Sequence, residues 1–219
     1  MSPTQTAKYV NIDVYQPEGL KKAQELGLVS SGLVNILSTR YVLEASNIFT
    51  LDHRGRLFTL FRHPVDRAVS TFHYVQDTVW RRNHNDLADI TIEEYFKSGS
   101  GENNWVTRFL TGTTNRALEP ADLDVAKEIL RRKCVVGLLE EKAESLSRFE
   151  RMFQWRVNSV DQDQCHEKIL QWAWPLKHSH EHVSEGSEVW NLILKQNEYD
   201  LQLYEFAKAL FKYQKQMFP

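Results

Sequence analysis

Arg62 stands directly after the apolar run Leu57 to Phe61, and Ser70 follows eight residues later. The run Leu57-Phe58-Thr59-Leu60-Phe61 suits a strand buried on both faces. His63-Pro64 then breaks the extended chain, and Pro64 pre-sets a helical φ in a first turn where its missing N–H costs nothing. Val65, Val69 and Phe72 recur at helical spacing. The pattern puts a guanidinium at the carboxyl end of a strand, beside a helix N-terminus, with a hydroxyl about two turns in. Free amides and the helix dipole favour negative charge there, and Arg adds a two-pronged fork. The chemistry is recognition of a phosphate-sized anion. The bare spacing alone is equally met by a strand-end arginine and a solvated helix serine.

The elements that must position these groups alternate between strand and helix. Tyr9 to Val14 alternates like a strand, and Pro17 opens a helix that stops at Gly27. Residues 30–46 choose no clear period. The strand 57–61 leads to a helix over 64–80, and a polar stretch, Arg81 to Asp89, ends at Thr91-x-x-Glu94, a capping box. Helices are expected near 102–111 and over 120–133, then a strand over 134–138 and a helix over 140–153. Residues 155–187 are polar and His-rich with a short helix around 165–172, and one long helix closes the chain from about 188 to 214. Strands alternating with helices imply an α/β fold with a parallel sheet flanked by helices.

Composition narrows the function classes. The 219 residues, 42% hydrophobic and 26% charged, fit one globular domain over 1–219. A net charge of −2 argues against nucleic-acid binding by a whole-molecule field, so an anionic ligand must be met by a local patch. Basic residues at 54, 56, 62, 67, 81, 82 and 108 could form one; Arg81 and Arg82 also fit a solvated face. Two cysteines give no disulfide framework, and Cys134, inside C-V-V-G-L-L, reads as core. His178, His180 and His182 lie close together, but no acid or Cys cluster completes a metal site, and none is expected. No stretch reaches transmembrane length, and Met1 to Lys8 carries no signal-peptide core.

The segment from Phe58 to Tyr74, read as R-[HDN]-P-[IV]-[DE]-R-x-[VI]-S-x-[FY]-x-[FY], resembles the 3′-phosphate-binding segment of carbohydrate sulfotransferases that use 3′-phosphoadenosine 5′-phosphosulfate. The likeness is to the Golgi heparan sulfate 2-O- and 6-O-sulfotransferase group. It continues through Glu102-Asn103-Asn104-Trp105-Val106-Thr107-Arg108, through Ala126 to Leu130, and through Val135-Val136-Gly137-Leu138-Leu139-Glu140-Glu141. It ends in Asn197-Glu198-Tyr199-Asp200 with Leu203-Tyr204-Glu205-Phe206-Ala207. The resemblance implies a P-loop-like three-layer domain in which Arg62 and Ser70 hold the nucleotide's 3′-phosphate, with Lys177 and Ser179 in the place of a nucleotide lid. It implies sulfuryl transfer to a carbohydrate hydroxyl in the Golgi lumen or at its membrane.

The family's second phosphate loop, P-K-[TS]-x-[GS]-[TS]-[TS], has no counterpart in the sequence. The domain is therefore expected to be truncated at its N-terminus relative to the family, with a strand vacancy in the sheet. Its alternative function is a non-catalytic 3′-phosphonucleotide-binding or interaction protein. For the acceptor, Asn104, Trp105 and Arg108 offer amide, stacking face and cationic clamp, although helical spacing also permits Trp105 to be core. No His lies about twenty residues before Arg62, where the resembling enzymes carry their base; Glu44 is the nearest proton acceptor, with Asp13 as another. A surface helix position would explain Glu44 equally. His63, beside the anion site, is read as orienting the turn.

Overall fold

The computed structural model describes residues 11–76, 90–155, 160–171 and 183–217. Among them are helices α1 (Pro17–Glu25), α2 (Val42–Ser46), α3 (Pro64–Tyr74), α4 (Ile92–Lys97), α5 (Trp105–Thr111), α6 (Pro120–Lys133), α7 (Lys142–Phe153), α8 (Val160–Gln171), α9 (Glu188–Gln196) and α10 (Glu198–Met217), with strands β1 (Leu57–Phe61) and β2 (Cys134–Leu138). The fold is mixed helix and sheet. β1 and β2 pair in parallel, Leu57 opposite Cys134 and Phe61 opposite Leu138.

Local chemistry explains most boundaries. Proline opens α1, α3 and α6, where its fixed φ is already helical. Thr91 and Glu94 form the reciprocal capping box of α4. Gly27, at φ +62°, turns the chain out of α1 in a conformation that disfavours any other residue.

The alternation of β1 and β2 sends side chains to both faces of the sheet. Phe61, Val136 and Leu138 face the main core with Leu123 and Leu130 of α6 and Leu203, Leu210 and Phe211 of α10. On the other face Phe58 meets Phe149, Phe153 and Trp155 at ring-centre distances of 5.1, 5.2 and 5.3 Å. Helix α7 comes close there because Gly137 has no Cβ; one would lie 2.6 Å from the Phe149 ring and 3.0 Å from Ser145 Cβ. A second cluster joins Val65 and Phe72 of α3 to Phe96 and Ile193, and a third gathers Leu20, Leu28 and Ile48 around α1 and α2.

The sheet has unlike margins. The outward groups of β2 are met by side chains. Gln214 Oε1 accepts from Val136 N–H at 2.9 Å, and its Nε2 donates to Cys134 C=O at 2.8 Å. Arg148 donates to Val136 C=O at 3.3 Å, and Ser145 Oγ both accepts from Leu138 N–H and donates to Leu138 C=O, at 2.8 and 2.9 Å. In a parallel pair alternate residues bond the neighbour, so Phe58 and Leu60 present their backbone groups to the other margin of β1. No described residue bonds them there.

Three expectations are corrected. Residues 11–14 are not a strand: Asp13 Oδ1 accepts from Tyr15 N–H at 2.9 Å, turning the chain, and Ile12 and Val14 pack on the α1–α2 cluster. Residues 9 and 10 of that expected strand, and 77–80 of the helix expected over 64–80, lie outside the described residues. The closing helix is two helices, broken at Asn197. The break sends Trp190 and Ile193 to one cluster and Tyr204 and Phe211 to another, where an unbroken helix would hold them on one stripe. The short helix expected at 165–172 begins earlier, at Val160.

Candidate functional site

Because β1 and β2 run in parallel, the residues after Phe61 and after Leu138 leave the sheet at one end. Leu139 N–H donates to Phe61 C=O at 2.7 Å and holds the two exits together. Arg62 and His63 leave β1 here, and Glu140 and Glu141 leave β2. In open α/β sheets this end is where ligands bind.

Pro64 forces His63 toward extended backbone, φ −52° and ψ 132°, and so sets the corner between β1 and α3. No side chain caps the N-terminus of α3. The His63 ring stacks on Trp190 of α9 at 5.2 Å and 15°, and meets the Tyr204 ring of α10 edge-on at 5.5 Å. Packing on two helices, rather than a hydrogen bond, orients it.

Tyr204 donates its hydroxyl to Glu140 Oε1. Burial pushes its phenol well above the ordinary range, and the bond to Glu140 with the charges of Glu140, Glu205 and Asp66 pushes further. Tyr204 is therefore a permanent donor and not a base.

Arg62 is half-buried and has no hydrogen-bond or ion-pair partner among the described residues. Ser70, also half-buried, has none either. Both belong to one continuous β1–α3 unit, and Ser70 lies about 9 Å along the helix axis from Pro64.

The other candidates are placed differently. Glu44 is exposed on α2, which packs on α1 and α5. Lys177 and Ser179, with Arg81, Arg82 and the histidines at 178, 180 and 182, lie outside the described residues. Trp105 is half-buried, 4.6 Å from Phe109 and beneath the Arg67 guanidinium at 5.9 Å.

Asn104 and Arg108 are corrected from acceptor ligands to internal fasteners. Arg108 donates to Asn103 C=O, Thr113 C=O and Arg116 C=O at 2.9, 3.0 and 2.7 Å, and to Asn103 Oδ1 at 3.1 Å. Its fork is occupied by the loop it holds. Asn104 is buried at φ +52°; its Oδ1 accepts from Tyr199 and Asp200 N–H at 2.8 and 3.1 Å, and its Nδ2 donates to Gln196 C=O at 3.0 Å.

These bonds make a reciprocal arrangement that sequence spacing hides. Asn104, in the left-handed region, gives α5 no cap of its own. Asp200 supplies one, accepting from Val106 N–H at 2.9 Å, Thr107 N–H at 2.8 Å and Thr107 Oγ1 at 2.7 Å. Asn104 in turn caps α10. Asn197, at the helix break, accepts from Asn104 N–H at 2.9 Å and donates to Glu102 C=O at 3.0 Å. Arg67 completes the group with bonds to Asp200 and Glu102 at 2.8 and 2.9 Å. Burial alone would lower its pKa, but the two carboxylates outweigh this and raise it.

Among the described residues no group of three His, Cys, Asp or Glu could hold a metal ion, and no helix is long and apolar enough to cross a membrane. A surface hollow of about 350 Å³ lies along one face of α6, between Asp124 and Lys133, and contains none of the candidate residues. No family model, no curated protein and no solved structure matches the chain.

Proposed function

We propose that this chain is a sulfotransferase-type domain that holds 3′-phosphoadenosine 5′-phosphosulfate by its 3′-phosphate, through Arg62 and Ser70. The observation that supports this is the idle guanidinium of Arg62 at the carboxyl end of β1, next to an uncapped helix. Arg67, Arg108, Arg116, Arg131, Arg132 and Arg148 are all bonded within the protein; Arg40, Arg62 and Arg151 make no hydrogen bond or ion pair among the described residues, and of these three only Arg62 stands at the end of a strand. Hydrogen bonds to charged groups contribute about 1.5–3 kcal/mol each, so Arg62 and Ser70 together would add several kcal/mol of nucleotide affinity.

In the reaction so assigned, a carbohydrate hydroxyl oxygen attacks sulfur as the bond to the 5′-phosphate oxygen breaks. The electron pair leaves with the phosphate, and the hydroxyl proton passes to a carboxylate, for which Glu44 is the candidate. Trp105 offers a face for the sugar. On this reading the domain is P-loop-like and three-layered, and works in the Golgi. A second reading is binding of the 3′-phosphonucleotide without transfer.

The test is thermal unfolding with 3′-phosphoadenosine 5′-phosphate, AMP as control, and Arg62→Ala in parallel. A ligand at a hundredfold excess over its Kd stabilises by about 2.7 kcal/mol. Stabilisation by the 3′-phosphorylated nucleotide alone, lost in Arg62→Ala, is the expected result. With no partner to lose, Arg62→Ala should itself unfold within about 0.5 kcal/mol of wild type. Equal shifts with AMP would sink the assignment. Binding without sulfuryl transfer to a sugar would select the second reading.

A further inference from the structure

We infer that His63 is a second, titratable ligand for the phosphate at Arg62, so that nucleotide binding takes up a proton. The inference rests on the reading of the site given above. Among the described residues neither ring nitrogen of His63 has a hydrogen-bond partner. Nδ1 is buried and orphaned, while Nε2 is absent from the buried orphans and so reaches solvent. The ring cannot swing freely, because it lies flat on Trp190 and edge-on to Tyr204. The result is one fixed imidazole with one open nitrogen, adjacent in the chain to an idle guanidinium.

An imidazole ordinarily changes charge between pH 5 and 8, and a phosphate dianion beside Nε2 favours the imidazolium, which donates a charge-assisted bond. The charges around His63 are mixed. Arg62 and Asp66 come from its own β1–α3 unit, and Arg67, further along α3, is already engaged by Glu102 and Asp200. Helix α10 brings Tyr204, Glu205 and Lys208, and the turn after β2 brings Glu140. Helix α9 meets the ring with uncharged Trp190; its charged residues, Glu188 and Lys195, stand near its two ends. The carboxylates near this corner repel a phosphate for which Arg62 is otherwise the one cation of the proposed site, and a second cation answers that repulsion.

The sign follows from linkage. A phosphate dianion at Nε2 favours the charged ring, so affinity falls as pH rises and the proton is lost. Free phosphate monoesters lose their second proton near pH 6, so at pH 7 and 8.5 the phosphate is mostly dianionic and the imidazole dominates the pH dependence.

Titration calorimetry with 3′-phosphoadenosine 5′-phosphate at pH 7 and 8.5, in buffers of different ionisation enthalpy, counts the protons taken up. Wild type should take up a proton fraction at pH 7 and bind roughly tenfold more weakly at pH 8.5. His63→Gln keeps a donor that does not titrate, so its binding should be pH-independent with no proton uptake. His63→Phe keeps the stacking on Trp190 and should bind roughly tenfold more weakly at pH 7. Arg62-dependent binding without proton uptake, or full affinity in His63→Phe, would overturn the role of His63 and leave the phosphate site standing. Absence of binding at every pH, in protein with a normal melt, would overturn the site and this role together.

Discussion

Asp200→Asn should be the most damaging single polar change outside the apolar core. The carboxylate receives four bonds: the amides of Val106 and Thr107, the Thr107 hydroxyl and the Arg67 guanidinium. An amide group has one acceptor oxygen. Turned toward Thr107, it keeps the two bonds made by Oδ1 and presents NH2 to Val106 N–H and Arg67, donor against donor. Two bonds to a charged acceptor are lost at about 1.5–3 kcal/mol each, and Glu102 still balances Arg67, which holds the loss toward the lower end. The expected cost is about 3–4 kcal/mol, a large share of the roughly 5–15 kcal/mol by which domains are stable. Urea unfolding at neutral pH, with an unchanged m-value, measures it. A companion variant, Asn104→Gly, removes the return cap without strain at φ +52°, since glycine tolerates that conformation. The two caps are one device, so the double variant should lose at least about 0.5 kcal/mol less than the sum. A loss under about 1 kcal/mol for Asp200→Asn, or strict additivity, would refute the reciprocal-capping argument.

Other outcomes can be checked with simpler measurements. Gln214→Ala leaves Val136 N–H and Cys134 C=O buried without partners and should cost about 2–4 kcal/mol by chemical denaturation. Arg131 and Arg132 hold the Glu128 carboxyl at about 2, below its ordinary 4.5; a lowered pKa stabilises above the unfolded value and loses that effect as pH falls from 4.5 to 2. The melting difference between wild type and Glu128→Gln should therefore be present at pH 6 and vanish near pH 2. Burial pushes the Cys134 thiol well above its usual range, whereas Cys165 is exposed, so a thiol reagent should label Cys165 promptly and Cys134 only after unfolding.

What the sequence disclosed was local. Strands 57–61 and 134–138 are bounded by their own apolar runs, the proline-opened helices by fixed φ, and α4 by a capping box within four residues. Arg62 and His63 were legible as a strand-end pair for the same reason. What stayed hidden depends on distant partners. Asn197 breaks the last helix because Asn104, 93 residues earlier in the chain, donates to it. Arg108 carries the charge of a ligand clamp, yet backbone carbonyls of its own loop claim it. The alternation at 9–14 suggested a strand, but packing on α1 and α2 offered Ile12 and Val14 a nearer apolar surface than the sheet. Glu140 came near the site only because two parallel strands end together.

The unlike margins of the sheet give it a direction of growth. Gln214, Arg148 and Ser145 seal β2 as a selvedge seals cloth, so any strand that joins must lie along β1. It would align with Phe58 and Leu60, which precede Arg62 by four and two residues. A strand added there would share β1 with the idle guanidinium, so whatever straightens or twists that strand would re-aim Arg62 at its tip.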